Sequence, residues 1–500
     1  MSTHPILPGF HPDPSVCWAG DAYYLATSSF EYFPGVPLFR STDLLRWEQV
    51  GNVLDRAEQL RVVRGAAAGS TGIFAPTLRF HDGEFWLVTT NLIERAKGHL
   101  IVHTTDPGKG WSAPVYTDGA IGIDPDLAWD EQGTCHLTWA HEDGIRQAAV
   151  DPRTGHLLSE PRTVWTGTGL AHPEAPHLYA RNGWWYLVIA EGGTERGHAV
   201  SVARSRSVGG PFDPHPANPV FSHRSTRHPV QNTGHADLVA SPDGSWAMVY
   251  LGVRPRGSTP GFHVNGRETF LAGVEWVDDW PVVVEDAFGV PPQPTSFVDD
   301  FADGVLHPRW ISPGVTLDTF VRCEDADAPR DGGVTLRAGR PQGGREPHHL
   351  LAVRARDAEW QAKATVPVGD VALVVQIDAE HWVGVERRGD VLTARAVVGP
   401  FDQELGAAAG VSAHSPLAIR AVDMSEAYGL HNGPDRLELG YVQDGRFRVL
   451  AEMDGRYLST EVACGFTGRV VGVEALEGDA VLTEFAYDTH LAEPRATSAG

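Results

Sequence analysis

DPSVCWAGDAYYLAT, residues 13–27, combines a short apolar run, a turn at Gly20 and an aromatic run. This combination is typical of a β-hairpin. In front of it, Pro12 and Pro14 each fix their own φ and bias the preceding residue towards extended geometry. We therefore expect Asp13 to lie on a stiff, extended backbone that aims its carboxylate.

The same hairpin pattern recurs four more times along the first part of the chain. The repeats occupy residues 74–90, 124–140, 174–190 and 235–251, and the five turn glycines are Gly20, Gly83, Gly133, Gly183 and Gly244. Their spacing of 50 to 63 residues leaves room for two further strands in each unit. Five four-stranded units in succession predict a five-bladed β-propeller over residues 1–290.

The repeat ends at a proline-rich linker, residues 291–296. Beyond it, strand-like runs follow one another without a 50-residue period and predict an antiparallel β-sandwich over residues 297–490. Short runs in this half are predicted as strands at 371–377, 382–386, 391–398, 435–442, 446–453, 460–464 and 480–486. Residues 491–500 are predicted to be a disordered tail. The chain as a whole is therefore predicted to be all-β.

Charge and composition exclude several classes of partner. The formal net charge of −24 argues against nucleic acid and against an anionic membrane. The N-terminal residues contain no basic region followed by an apolar run, which predicts no signal peptide and a cytoplasmic location. The scattered cysteines, Cys17, Cys135, Cys323 and Cys464, are interpreted as buried free thiols. Self-association into a homo-oligomer is left open.

Aligning the five repeats brings polar residues to one register position. The repeats are aligned on the apolar residues Val16, Leu78, Leu127, Leu178 and Leu238. The position three residues earlier holds Asp13, Ala75, Asp124, Ala175 and His235, with Glu174 one residue further away. The first strand of a propeller blade lies beside the central axis, so we expect three carboxylates and a histidine to converge on one axial pocket. The alternative is that each aspartate merely caps a turn.

Three carboxylates in one pocket repel one another, which gives structure alone no reason to retain them. No zinc-protease motif, nucleophile elbow or phosphate-binding loop occurs in the sequence. Two carboxyl groups around a neutral, aromatic-lined pocket fit glycoside hydrolysis, in which one is a protonated acid and the other an ionised base. A third carboxylate, if charged, would raise the pKa of the acid.

Six motifs occur in an order that resembles the β-xylosidases and arabinofuranosidases of glycoside hydrolase family 43. They are GFHPDPS at 9–15, FEYFPG at 30–35, IDPDL at 123–127, EAPHLY at 174–179, GHADL at 234–238 and GRETFL at 266–271. The resemblance implies a propeller followed by a concanavalin A-like jelly-roll sandwich. It also implies that Asp13 is the general base, Glu174 the general acid and Asp124 the carboxylate that tunes and orients the acid, with inversion at the anomeric carbon.

The resemblance extends to the substrate pocket. It implies that His235 and Arg267 lie near the sugar hydroxyls and that Phe30 forms an aromatic wall. Phe74 departs from the tryptophan that relatives often carry, which leaves more room beside the sugar and removes an indole N–H donor. No cofactor is expected, although His235 could hold a structural Ca²⁺. A core histidine is the other reading of His235, and a surface ion pair with Glu268 is the other reading of Arg267.

We therefore predict an inverting, exo-acting glycosidase that releases terminal xylose from β-1,4-linked xylo-oligosaccharides. An α-L-arabinofuranosidase, or an enzyme with both activities, is the alternative within the same class. A non-catalytic carbohydrate-binding propeller is the alternative from another class. The three carboxylates argue against it, because binding a neutral sugar requires no protonated acid.

Overall fold

The computed structural model describes residues 3–65, 67–323, 333–340, 344, 346–424 and 433–490. Over these ranges the fold is all-β, and α1 (Thr460–Ala463) is the one α-helix. Short 3₁₀ turns occupy Leu92–Lys97, Pro107–Lys109, Leu317–Thr319 and Gly455–Leu458. None of the helices in the described ranges has the length and apolar character needed to cross a membrane. The predicted disordered tail, residues 491–500, lies outside the described residues.

The chain divides into two compact units. The first comprises the described residues up to Pro255 together with Gly266–Gln293 and Pro313–Thr316. The second comprises Arg256–Asn265, Pro294–Ser312 and the described residues from Leu317 onward. Arg256–Asn265 lies within the range predicted for the first domain and groups with the second unit.

Five four-stranded antiparallel sheets follow one another in the described part of the first unit. In hydrogen-bonding order they contain β1 (Ser15–Trp18), β2 (Tyr23–Ala26), β4 (Gly35–Ser41) and β5 (Glu48–Leu54), with the two-residue strand β3 (Tyr32–Phe33) in the connection from β2 to β4; β6 (Thr77–His81), β7 (Glu84–Thr89), β8 (Leu100–Thr104) and β9 (Val115–Tyr116); β10 (Ile123–Trp129), β11 (Cys135–His141), β12 (Gly144–Val150) and β13 (Arg162–Trp165); β14 (Glu174–Arg181), β15 (Trp184–Glu191), β16 (Ala199–Ser205) and β17 (Asp213–Pro214); and β18 (Gln231–Ala240), β19 (Trp246–Val253), β20 (Glu268–Val277) and β21 (Trp280–Val284).

The five predicted hairpin turns are confirmed. Each turn glycine lies between the first two strands of a sheet and has a positive φ, a conformation that costs glycine little. The φ values are 84° at Gly20, 78° at Gly83, 80° at Gly133, 72° at Gly183 and 84° at Gly244. The turns therefore fold as their local sequence dictates.

Each sheet packs against its neighbours through a separate apolar core. Four cores join successive sheets along the chain, and a fifth joins the last sheet to the first through residues such as Val16, Leu25 and Val249. The first strands follow the same order: β1 contacts β6, β6 contacts β10, β10 contacts β14, β14 contacts β18, and β18 contacts β1. The N-terminal segment joins the last sheet, because Ile6 N–H donates to Thr269 O at 2.9 Å.

A buried polar cluster links all five first strands, and Arg79 is its centre. The Arg79 guanidinium donates to Asp126 Oδ1 at 2.7 Å and to Asp237 Oδ2 at 2.8 Å. It also lies 3.0 Å from His177 Nδ1 and 3.3 Å from Ser15 Oγ. The sequence analysis did not single out this cluster. It neutralises two buried carboxylates with one buried cation.

We expect Arg79→Leu to lower the free energy of unfolding by about 3–5 kcal/mol, because it leaves Asp126 and Asp237 buried without their cation. Denaturant unfolding followed by tryptophan fluorescence measures the loss. Arg40→Leu is the matched control: Arg40 pairs with Asp21 at 3.0 Å on the surface, so its loss should cost about 0–1 kcal/mol. Equal effects of the two substitutions would contradict a structural role for the cluster.

The second unit contains two large antiparallel sheets in its described residues. One has the order β22 (Phe297–Asp299), β36 (Glu484–Asp488), β27 (Trp360–Thr365), β32 (Leu417–Asp423), β33 (Asp435–Gln443) and β34 (Arg446–Asp454). The other has the order β24 (Val321–Cys323), β25 (Val334–Arg337), β35 (Val470–Leu482), β28 (Val368–Asp378), β29 (His381–Arg388), β30 (Val391–Val398) and β31 (Phe401–Ala408), and β26 (Leu351–Arg354) also pairs with β35. The two-residue strand β23 (Ser312–Pro313) follows β22 in the chain.

Two expectations are wrong in detail. Residues 460–464, predicted as a strand, form α1 and its C-cap, because Ala463 N–H and Cys464 N–H turn back to Ser459 O and Thr460 O. The cysteines are free, but Cys323 and Cys464 are exposed, whereas Cys17 and Cys135 are buried. Cys464 terminates α1 with a φ of 66°, so it is not a core strand residue.

Candidate active site

The aligned register positions share an unusual backbone conformation. Asp13, Asp124, Ala175 and His235 have φ values of 55°, 53°, 53° and 48°, in the left-handed region that non-glycine residues rarely adopt. In β10, β14 and β18 the register with the neighbouring strand shifts at this position, as in a β-bulge. Bulges redirect side chains and are frequent beside active sites.

The expectation that Asp13 lies on extended backbone is therefore wrong. The bias of a residue before proline is weak compared with tertiary contacts. Ser28 Oγ donates to Asp13 Oδ2 at 2.5 Å, and Arg267 Nη1 donates to Asp13 Oδ1 at 3.0 Å. Ser28 N–H also donates to Pro12 O at 3.1 Å. These contacts fix the carboxylate of Asp13 and its backbone together.

The surroundings of Asp13 favour its ionised form. Burial alone would raise the pKa of Asp13, but the charge of Arg267, the neighbouring His235 and the hydrogen bond from Ser28 together lower the pKa below its ordinary value. His235 Nδ1 lies 3.5 Å from Asp13 Oδ1. Asp13 is consequently a carboxylate that stays charged and can accept a proton.

Asp124 and Glu174 have the opposite tendency. Burial raises the pKa of Glu174 to about 7, with a further contribution from the charge of Asp13, while Arg267 opposes the shift. Burial, followed by the charges of Glu174 and Asp13, raises the pKa of Asp124 well above its ordinary value. Asp124 Oδ2 accepts a hydrogen bond from Ala175 N–H at 3.2 Å, directly beside Glu174. The site therefore combines one ionised carboxylate with two that favour their protonated forms.

The predicted substrate-binding residues lie next to these carboxyl groups. The guanidinium of Arg267 lies 5.8 Å from the ring centroid of Phe30, and Phe30 meets Phe74 edge to face with centroids 5.8 Å apart. Phe30 is buried and Phe74 is half-buried. Burial lowers the pKa of His235 to about 3, so its imidazole is neutral. Arg267 pairs with Asp13, whereas Glu268 pairs with Arg254 at 2.6 Å, so the surface pair of Arg267 with Glu268 does not form.

Three further residues belong to this site that the sequence analysis did not identify. Ser28 contacts Asp13, Thr194 Oγ1 accepts from Arg267 Nη1 at 2.9 Å, and His198 acts on Asp13 electrostatically. Burial lowers the pKa of His198 to about 4. All three lie outside the aligned register positions, in connections or on other strands, so the repeat pattern contains no signal for them.

We expect Arg267→Gln to move both limbs of the pH profile of kcat/KM to higher pH. The cation lowers the pKa of Asp13 and of Glu174, so its removal raises both. A base is lost as pH falls through its pKa and an acid is lost as pH rises through its pKa, which gives both limbs the same direction of movement. Initial rates across pH measure the limbs. Arg40→Gln, on an exposed pair, should leave them in place, and so would Arg267→Gln if Arg267 served only in packing.

A sequence model of glycosyl hydrolases family 43 matches residues 2–281. The chain belongs to this family. The matched range contains every carboxyl group and every substrate-binding residue described above. The family 43 resemblance expected from the six motifs is therefore confirmed.

Individual relatives show the same family 43 relationship. The "Xylosidase/arabinosidase" of Butyrivibrio fibrisolvens is 44% identical over 299 residues, covering 57% of this chain and 56% of the relative. The "Non-reducing end alpha-L-arabinofuranosidase BoGH43B" of Bacteroides ovatus is 41% identical over 286 residues, covering 57% of this chain and 53% of the relative. The chain thus spans about half the length of the curated relatives it matches.

A solved structure extends the family 43 similarity to nearly the whole chain. The crystal structure of xylan beta-1,4-xylosidase from Bacillus halodurans C-125 has a TM-score of 0.82 and 28% sequence identity. It covers 97% of this chain and 99% of its own. Both units of this chain therefore have counterparts in one family 43 structure.

Proposed function

We propose that the chain is an inverting, exo-acting glycosidase in which Asp13 is the general base and Glu174 the general acid. The observation that carries the proposal is the opposite displacement of their pKa values within one buried cluster. Titratable neighbours whose environments separate their pKa values are the signature of paired acid and base roles. Family 43 membership supports the same reading.

In the proposed reaction, Asp13 takes a proton from a water molecule, which attacks the anomeric carbon of the terminal sugar. Glu174 gives its proton to the glycosidic oxygen, and that carbon–oxygen bond breaks. Asp124 is a positioning residue, since it accepts from the N–H of the residue after Glu174. Arg267 keeps Asp13 ionised in the free enzyme. The reaction requires no cofactor, and a Ca²⁺ beside His235 stays a prediction.

We also propose that the five four-stranded sheets are the blades of a five-bladed β-propeller. The closed sequence of contacts from β1 through β6, β10, β14 and β18 back to β1 supports this arrangement. The fifth apolar core, between the last sheet and the first, supports closure of the ring. The two large sheets of the second unit are proposed to form the jelly-roll sandwich.

The proposed substrate is a short β-1,4-linked xylo-oligosaccharide that loses its terminal xylose. The names of the Butyrivibrio relative and of the Bacillus structure support xyloside cleavage. Arabinofuranoside cleavage is the second candidate. It is favoured by the name of the Bacteroides relative and by Phe74, whose half-buried ring beside Phe30 leaves more room than an indole would.

A panel of nitrophenyl pentosides tests the substrate. We expect the highest kcat/KM on the β-D-xyloside, and a higher value on the α-L-arabinofuranoside would replace xylose by arabinose as the proposed substrate. Product analysis from xylotriose tests exo action, for which xylose and xylobiose should appear together at first. No turnover of any pentoside would contradict the proposed catalytic function.

A further inference from the structure

A second cluster of ligand-type side chains lies in the first unit, apart from the catalytic carboxyl groups. It consists of His223, His228 and Glu285, and one ligand atom from each lies within 4.8 Å of the other two. His223 and His228 belong to the connection that leads into β18, and Glu285 directly follows β21. His223 is buried, whereas His228 and Glu285 are half-buried. None of the three has a role in the proposed reaction.

The hydrogen bonds of the two imidazoles leave a nitrogen on each available as a ligand. His223 Nδ1 lies 2.8 Å from Val230 O, which can only accept, so Nδ1 carries the hydrogen. His223 Nε2 lies 2.7 Å from Glu285 Oε2. His228 Nδ1 lies 3.1 Å from the same carbonyl oxygen, and its buried Nε2 has no hydrogen-bond partner among the described residues. A backbone carbonyl on one ring nitrogen is the usual support for a histidine that binds metal through the other.

We propose that His223, His228 and Glu285 bind one divalent transition-metal ion, with Zn²⁺ as the best match. Two imidazoles and one carboxylate form a three-ligand set to which water can add as the fourth ligand of a tetrahedral ion. Nitrogen ligands favour Zn²⁺, Ni²⁺ and Co²⁺ over Ca²⁺ and Mg²⁺, which prefer oxygen. Metal–ligand bonds of about 2.0–2.2 Å require the three side chains to adjust only slightly around the ion.

The connection is already held in the shape that the site needs. Thr226 Oγ1 donates to His223 O at 2.7 Å and accepts from His228 N–H at 3.2 Å. Gln231 Nε2 donates to His228 O at 2.6 Å. An ion bound here would tie this connection to the end of β21. Because the connection leads directly into β18, which contains His235, the ion would stabilise the fifth sheet.

A simple ion pair between His223 and Glu285 is the competing explanation of their 2.7 Å contact. It accounts for neither the position of His228 nor its unpartnered nitrogen. The two imidazole rings lie with their centroids 3.9 Å apart, so a protonated His223 would face His228 at close range. A shared metal ion satisfies both rings and the carboxylate together.

Calorimetric titration of the tag-free full chain, after treatment with chelator, tests the proposal. We expect one Zn²⁺ per chain, and Co²⁺ bound at the same place should give the visible absorption of a tetrahedral site. His228→Gln and Glu285→Gln should each weaken Zn²⁺ binding by at least about 10-fold. They should also abolish the rise in thermal midpoint that Zn²⁺ produces. Circular dichroism and pentoside turnover without metal should be unchanged, which verifies that the variants fold.

His136→Gln is the matched control, because His136 pairs with Asp130 at 2.9 Å but belongs to no three-residue ligand cluster in the described part of the chain. It should bind Zn²⁺ as the unmodified chain does. Absence of Zn²⁺ binding would overturn the proposal. So would equal binding by the unmodified chain and both cluster variants, or Ca²⁺ binding as tight as that of Zn²⁺.

Discussion

Glu174→Gln is expected to lower kcat on xylobiose by about 10²–10⁴-fold, the usual contribution of a positioned acid. The loss should be much smaller on an aryl xyloside whose leaving group departs without protonation. The physical reason is that burial and the charge of Asp13 raise the pKa of Glu174 to about 7, so its carboxyl group can hold a proton for the glycosidic oxygen. The amide of glutamine has no such proton. Steady-state rates on the two substrates measure the difference.

The comparison between substrates separates an acid from a residue that only maintains the pocket. Equal losses on xylobiose and on the activated aryl xyloside would remove Glu174 from the acid role. Glu386→Gln is a suitable control, because Glu386 is a buried glutamate that pairs with Arg340 in the second unit. It should leave the ratio of the two rates unchanged.

Asp13→Asn is expected to lower kcat by about 10²–10⁴-fold on both substrates alike. The asparagine side chain can still accept the hydrogen bond from Ser28, but it cannot take a proton from water. Because water activation is needed whichever group departs, a better leaving group should not restore the rate. The signature of the base is therefore a loss that is independent of the leaving group.

Ser28→Ala offers a graded comparison for Asp13. Removing the 2.5 Å hydrogen bond raises the pKa of Asp13, since that bond favours the ionised form. The acid limb of the pH profile should then move to higher pH while the rate at its plateau changes little. Near-normal turnover by Asp13→Asn would show that another residue is the base.

The sequence predicts the five hairpins well because their information is local. A glycine at each turn and an aromatic strand after it are sufficient to specify where the chain reverses, and the observed φ of every turn glycine agrees. The same repeats align the positions of Asp13, Asp124 and His235. Their electrostatic interactions with Glu174, Arg267 and one another bring these residues into one cluster.

Other features depend on contacts between distant parts of the chain and could not be predicted from local pattern. Asp13 is left-handed because Ser28 and Arg267 hold it, and Arg267 is 254 residues away. The Arg79 cluster was partly visible, since a polar residue occurs two positions after each aligned residue: Ser15, Thr77, Asp126, His177 and Asp237. Which of them pairs with Arg79 follows only from the packing of five sheets.

The direct test of the central claim is the anomeric configuration of the first product, followed by proton NMR during hydrolysis of a β-xyloside. If Asp13 activates water on the face opposite the leaving group that Glu174 protonates, α-xylose forms first and the β-anomer grows in only by mutarotation. If β-xylose appears first, the reaction passes through a covalent sugar–enzyme intermediate, and the assignment of Asp13 as a base is wrong.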